Sequence, residues 1–502
     1  MSQELSSTAE IVASEATWTG WYGRVSVLLA IVVAAPIWIV TYPPLVDYPN
    51  HLARGYILYH LHDVPSFAEH FESSYLTTPS LAMDAFMLAL QPICEVPTAG
   101  KLFLTLTLWL WLSGWHVLGR AIHGRPTWLA LGGALFAYHS MFLYGFTNFS
   151  FGLGYFLWAT AAWVYWRAAW SWPRLVAMAI LAVGAYFTHM SAYLFLAGTV
   201  FAVTGWDTLQ QRKITRSLLL GILPIMTPSV FFLRGGGSGS GVAWNTLQGK
   251  IVGALCLVRG YDRRMDIAFI VAVTVFVVMF IFWSRGLPSN NGILVAGLGC
   301  IAMFLIGPVE IFGGSPADTR FLPPAAALVI LALDREFPRK QATALLVMFL
   351  CLVLFRYGMI VSFWRSFDAD LCEQVALFAE FPREARVYPI VKISEQPEEQ
   401  KLGLASFHVI DYAVLERQVY VPNLVAFAGQ QPIQYKTPRL TYHGNAERYP
   451  ARAEVDWPKI FASYDYLWCY HVPENDLKYL RQHATVVAAQ GGGVILRVTK
   501  NR

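Results

Sequence analysis

The residues best equipped for chemistry follow the first apolar run of the chain: Tyr42-Pro43-Pro44-Leu45-Val46-Asp47-Tyr48-Pro49-Asn50-His51-Leu52-Ala53-Arg54. An aspartate at a water–lipid boundary can take a proton as a general base, and an arginine fork can hold a phosphate. Pro43, Pro44 and Pro49 deny the stretch a regular helix before Asn50, because proline fixes φ and lacks an N–H. A helix is expected from Asn50, with Asn50 as its N-cap. His51 and Arg54, three apart, then share a face. The plainer alternative is that Asp47 closes a turn and Arg54 snorkels to lipid headgroups.

Composition sets the surroundings of this stretch. The chain has 502 residues, of which 56% are hydrophobic and 14% charged. The charged share is far below the roughly 25% of soluble domains, which marks an integral membrane protein. The 18 Trp and 24 Tyr suit aromatic belts at the two interfaces. A formal charge of +5, scattered over loops, speaks for topology and against a nucleic-acid partner. Met1 to Thr17 lacks the basic start of a cleavable signal, so the first apolar run is expected to be retained. Cys256, Cys300 and Cys351 fall in or near apolar runs. Cys372 and Cys469 lie in the polar tail, where an oxidising compartment would allow them to pair.

Apolar runs long enough, or nearly so, to cross the hydrocarbon predict about eleven spans. They are 25–41, 102–118, 128–143, 149–165, 175–187, 190–204, 218–233, 267–283, 293–306, 321–333 and 344–363. Arg120, Arg125, Arg167, Arg174, Arg212, Lys213, Arg216, Arg285, Arg335, Arg339 and Lys340 all fall in inside loops if the N-terminus is cytoplasmic. That requires 81–90, bounded by Pro79 and Pro92, to lie in the interface rather than cross. Residues 1–24 are then a cytoplasmic tail. Residues 25–364 form the membrane part, with an external loop over 43–98, and residues 365–502 lie outside. The break at Thr188-His189 makes two short helices of what would otherwise be one overlong span. The run from Gly235 to Gly241 reads either as a mobile lid or as a plain loop.

The tail, 365–502, has the composition of a small α/β domain. Helices are expected over 370–381 and 474–481, and strands over 387–391, 465–469 and 494–498. His408 and the Gln430-Gln431-Pro432 stretch read as ordinary loop features.

This topology gathers Asp47, His51, Arg54, Asn148, His189, Asp318 and Arg320 on one side of the membrane. Ionisable groups at membrane depth are costly and point to function. Each also has a structural alternative. His189 suits a satisfied interfacial histidine, and Asn148 a helix cap. Asp318 and Arg320 can pair with each other or cap the following helix, and Glu310 and Arg356 can snorkel. There is no Walker A motif, no G-x-S-x-G elbow and no H-E-x-x-H motif, so nucleotide, triad and zincin chemistry are unsupported.

The pattern resembles the GT-C superfamily of membrane glycosyltransferases. Val46-Asp47-Tyr48-Pro49-Asn50-His51-Leu52-Ala53-Arg54 is similar to the acidic start of their first external loop. Pro79-Ser80-Leu81-Ala82-Met83-Asp84 resembles their interfacial helix, and Tyr186-Phe187-Thr188-His189 their short-helix break beside a lipid phosphate. Ala317-Asp318-Thr319-Arg320-Phe321 resembles a later external turn bearing an arginine. The resemblance implies an α-helical polytopic protein with an extracytoplasmic C-terminal α/β domain in a bacterial inner membrane. It implies transfer of a sugar from a polyprenyl-phosphate donor to a glycan, lipid or protein acceptor. Asp47 would be the base, and His51, Arg54, His189, Arg320, Asp318 and Asn148 would bind substrate or phosphate. No second acidic residue stands beside Asp47, so no metal ligand is assigned and the need for a divalent metal stays open. An O-antigen-type polymerase or ligase, using Arg259, Arg263 and Arg264, and a lipid-linked sugar flippase are the alternative readings.

Overall fold

The apolar runs fold as helices. The computed structural model describes residues 2–73, 79–232, 241–284, 289–311, 314–334, 337–392, 405–426, 431–436, 439–443 and 452–500, with side chains from 21 onward except those of Phe232 and Arg339. Gly235–Ser240, and with it the suggested lid, lies outside the described residues. The principal helices are α1 (Ser2–Ile39), α2 (Tyr48–Tyr59), α3 (Ala82–Leu90), α4 (Val96–His123), α5 (Thr147–Trp166), α6 (Trp172–Thr188), α7 (Met190–Gln211), α8 (Arg263–Trp283), α9 (Asn291–Ile306), α10 (Leu322–Ala332) and α11 (Arg339–Leu377). Among the described residues, five helical segments are long and apolar enough to cross a membrane: Trp21–Ile39, Val96–His123, Met190–Gln211, Arg263–Trp283 and Lys340–Glu380. Shorter apolar helices such as Trp172–Thr188, Asn291–Ile306 and Thr319–Ala332 complete an integral membrane bundle.

Several expectations change on contact with the structure. The run 128–143 is broken into Trp128–Gly132, Gly133–Phe136 and Ser140–Leu143, and 218–233 is likewise divided among short helices. An apolar helical segment, Leu247–Leu257, lies between the expected spans 218–233 and 267–283. The helix after Pro44 begins at Tyr48, not Asn50. Asp47 sits at the N-cap position, and Pro49 falls in the first turn, where a missing N–H costs no hydrogen bond. The helix expected over 370–381 is not separate, since α11 runs unbroken from Arg339 to Leu377. Arg356 does not snorkel. It is buried, with a guanidinium N–H donating 3.0 Å to the Tyr138 carbonyl and the Asp266 carboxylate 3.8 Å away. The chain does break at His189, which is extended between α6 and α7 and accepts from the Ser191 N–H at 3.1 Å through Nδ1.

Close helix packing rests on small residues, since hydrocarbon offers no hydrophobic drive between helices. The α4–α5 contact is the most extensive in the bundle. A Cβ on Gly154 would stand 2.7 Å from backbone atoms of Leu110 and Trp111, so only glycine lets the two backbones meet there.

Short strands and one larger sheet complete the fold. The short pairs are β1 (Phe71–Ser73) with β5 (Ile433–Tyr435), and β2 (Val242–Ala243) with β3 (Glu310–Ile311). The four-stranded sheet runs β4 (Val387–Val391), β6 (Tyr466–Tyr470), β8 (Gly493–Val498), β7 (Ala484–Gln490), with β4 and β6 parallel and the rest antiparallel. Three of these strands coincide with the predicted runs. β7 was not anticipated, because its Val-Val core is mostly exposed and lacks alternation. Cys372 and Cys469 are unpaired thiols. Cys469 is buried in β6, while Cys372 on α11 turns to Thr41. The β1–β5 pair joins the first loop to the tail, 362 residues apart, so the two fold as one surface at the Asp47 end of the bundle.

Gly154→Ala is expected to lower stability by about 1–3 kcal/mol through overpacking, seen as a lower thermal-unfolding midpoint in detergent. Gly198→Ala, with nothing within 4 Å of the new methyl, is the neutral control.

Candidate active site

The backbone leading to Asp47 is held from three sides. The Asp368 carboxylate of α11 accepts from the Thr41 and Tyr42 N–H groups at 2.8 and 2.7 Å. The Tyr261 hydroxyl donates to the Pro44 carbonyl at 3.3 Å and is itself held by the Trp364 indole N–H at 3.1 Å. The Val46 and Asp47 N–H groups donate to the Leu143 and Tyr144 carbonyls at 3.4 and 3.0 Å. Gly145 follows at φ +79°, and a Cβ there would stand 2.7 Å from the Asp47 nitrogen. The left-handed turn and the close approach both demand glycine.

Helix α2 carries the next polar groups inward. Arg54 is 1% exposed and lies against Asp84 of α3 in a two-pronged pair, Nε to Oδ1 at 2.7 Å and Nη2 to Oδ2 at 2.8 Å. Its remaining donors reach the His51 Nδ1 at 2.8 Å and the Gln431 Oε1 at 2.5 Å. A guanidinium can only donate, so His51 Nδ1 is unprotonated. The His51 pKa lies well below its usual value, through burial first and then the Arg54 charge. Arg54 is therefore neutralised by Asp84 and orients the neutral His51. It is not a free phosphate ligand.

Asp47 is reached from the tail as well. Its carboxylate is 27% exposed, with Oδ1 3.8 Å from Nε2 of His408, which was read as an ordinary loop residue and is buried. His408 Nδ1 lies 2.8 Å from Asp411 Oδ2, which also accepts from Asn50 Nδ2 at 3.2 Å. Burial raises the Asp47 pKa above the ordinary carboxylate range, and the charges of His408, Arg54 and Arg320 oppose it.

Arg320 closes the far side. Its guanidinium lies over the rings of Phe146 and Phe149, 5.2 and 5.8 Å from their centroids. Its Nε is buried with no hydrogen-bond partner among the described residues. His189 meets Phe149 edge-on at 5.4 Å, and burial, then the Arg320 charge, hold its pKa well below the usual value. Asp47, His51, Arg54, His189 and Arg320 thus converge.

Asp318 and Asn148 serve the frame instead. Asp318 is 0% exposed, accepts from Lys250 Nζ at 2.8 Å and caps the Thr319 N–H at 2.7 Å; it does not pair with Arg320. Asn148 is not the α5 cap. It accepts from the Met83 N–H at 2.7 Å and donates to the Ser80 carbonyl at 2.6 Å, fixing the start of α3 and so Asp84. No group of three or more His, Cys, Asp or Glu side chains is arranged to hold a metal among the described residues.

The fold matches solved structures along nearly its whole length. The particular likeness is to ArnT from Cupriavidus metallidurans. Its crystal structure in the apo state aligns with a TM-score of 0.55 at 12% identity, over 96% of this chain and 98% of that one. The same protein bound to undecaprenyl phosphate aligns with a TM-score of 0.51 at 13% identity, over 95% and 98%. No family model and no curated protein matches the sequence.

Removing Asp84 leaves a buried, unpaired guanidinium. Asp84→Ala is expected to cost about 3–5 kcal/mol, measured as a fall in unfolding midpoint. The double change Arg54→Met, Asp84→Leu recovers most of the loss, because it removes both charges.

Proposed function

We propose that this protein transfers a sugar from a polyprenyl-phosphate-linked donor to an acceptor hydroxyl, with Asp47 as general base. The observation that carries the reading is the partly accessible Asp47 carboxylate within electrostatic range of Arg320, whose buried Nε has no partner among the described residues. A base and an arginine with an unspent donor lie within reach of each other's charge. The undecaprenyl phosphate bound by the similar protein supports a lipid-phosphate donor of the same class.

The chemistry follows from the groups. The acceptor oxygen attacks the anomeric carbon as Asp47 takes its proton. The new bond forms opposite the breaking one, so the anomeric configuration inverts. The polyprenyl phosphate leaves with the bonding electron pair and needs positive charge more than a proton. Arg320 supplies that charge. His189 Nδ1 is occupied as an acceptor, so its other nitrogen is the donor available to a phosphate oxygen. His51 and Arg54 hold the Asp47 turn. In this reading the N-terminus is cytoplasmic, and the Asp47 end with residues 365–502 faces the extracytoplasmic side.

Transfer of radiolabelled sugar from a panel of polyprenyl-phosphate sugars tests the proposal in membranes. Asp47→Asn is expected to lose about 10²–10⁴-fold in rate at normal protein level, and undiminished transfer would overturn the assignment. The rate should fall as pH drops, because the base must be ionised. Burial lifts the Asp47 pKa, so that acid limb should lie above the roughly 3.9 of a free aspartate.

A further inference from the structure

The tail sets an imidazole between two carboxylates of unequal access. Asp411 is 0% exposed and Asp47 27%, with the His408 side chain, 6% exposed, bridging them. The contact to Asp411 is a hydrogen bond at 2.8 Å, and the contact to Asp47 is an ion-pair distance of 3.8 Å. An ionised carboxylate can only accept, so His408 Nδ1–H donates to Asp411, and Nε2 is left facing Asp47. Asn50 donates to the same Asp411 oxygen at 3.2 Å, which ties this pair to the first turn of α2.

Asp411 raises the proton affinity of Asp47. A protonated imidazole between the two opposes that rise. The other groups facing Asp47 are less able to do so. Arg54 on α2 is taken by Asp84. His51 on α2 accepts from Arg54, and His189 between α6 and α7 accepts from Ser191. Arg320 before α10 is the donor-phosphate ligand in the reading above, and a bound phosphate spends its charge. We propose that His408, held by Asp411, is a positioning residue for Asp47: it keeps that carboxylate ionised and aimed, and it makes the tail part of the reaction site. The consequence for rate rests on Asp47 being the base, whereas the charge coupling does not. The His408 pKa is raised accordingly, since burial opposes protonation but Asp411, by charge and hydrogen bond, and Asp47 outweigh it.

The test uses full-length protein in lipid nanodiscs. The Asp47 carboxyl is titrated by infrared difference spectroscopy with Asp47→Asn as the subtraction, alongside the pH–rate profile. In His408→Gln, the Asp47 midpoint should rise by about one pH unit or more, a tenfold gain in proton affinity. The acid limb of transfer should move with it, with donor KM unchanged. Asp411→Asn leaves the imidazole in place and should shift both in the same direction, which keeps the test open if His408→Gln does not fold. An Asp47 midpoint unmoved in both variants, with transfer reduced only as the folded fraction, overturns the proposal. If Asp47→Asn stays active while His408→Gln still shifts the Asp47 titration, the coupling stands and the base assignment falls.

Discussion

The buried pair between Arg54 and Asp84 is the constraint on which the Asp47 end of the molecule depends. Both side chains are almost fully withdrawn from solvent, so neither charge is tolerable alone. Satisfying the pair fixes α2 against α3. The spare donors of Arg54 then dictate the tautomer of His51 and reach the tail at Gln431. Asn148 clamps the start of α3 and so aims Asp84. The short helix α3 is thereby made a rigid part of the site.

The same logic governs the approach to Asp47. A turn rich in proline has few N–H groups of its own and cannot hold its shape by local bonding. It borrows partners from α11 through Asp368, from the segment before α8 through Tyr261, and from the turn before α5 through the carbonyls of Leu143 and Tyr144. Gly145 permits the last approach. Three distant parts of the chain thus converge on one carboxylate, and the tail contributes a fourth through His408.

Charge is distributed so that structural and reactive groups stay apart. Lys250 with Asp318, and Arg54 with Asp84, are closed pairs. Arg320 is the exception. It rests on aromatic faces, which stabilise a cation without consuming its hydrogen-bond donors. An arginine held this way is ordered with its Nε unspent, which suits the phosphate role proposed for it.

The sequence by itself determined what depends on local physics. Apolar runs marked the membrane helices, Pro79 and Pro92 set off the short helix at Ala82–Leu90, and the break at His189 followed from span length. The run around Asp47, with its prolines and its spacing of histidine and arginine, singled out the candidate base. Only the tertiary structure decided which polar groups face one another. Arg54 and Asp318 look equally free in sequence, yet both are closed by partners at |i−j| of 30 and 68. His408 and Asp411 carry at most a spacing of three, and nothing local ties them to an aspartate in the first loop. Burial turns that spacing into a bridge. A hydrogen bond or ion pair depends on distance in space, and where chain segments meet is settled by packing of the whole bundle, not by residue order.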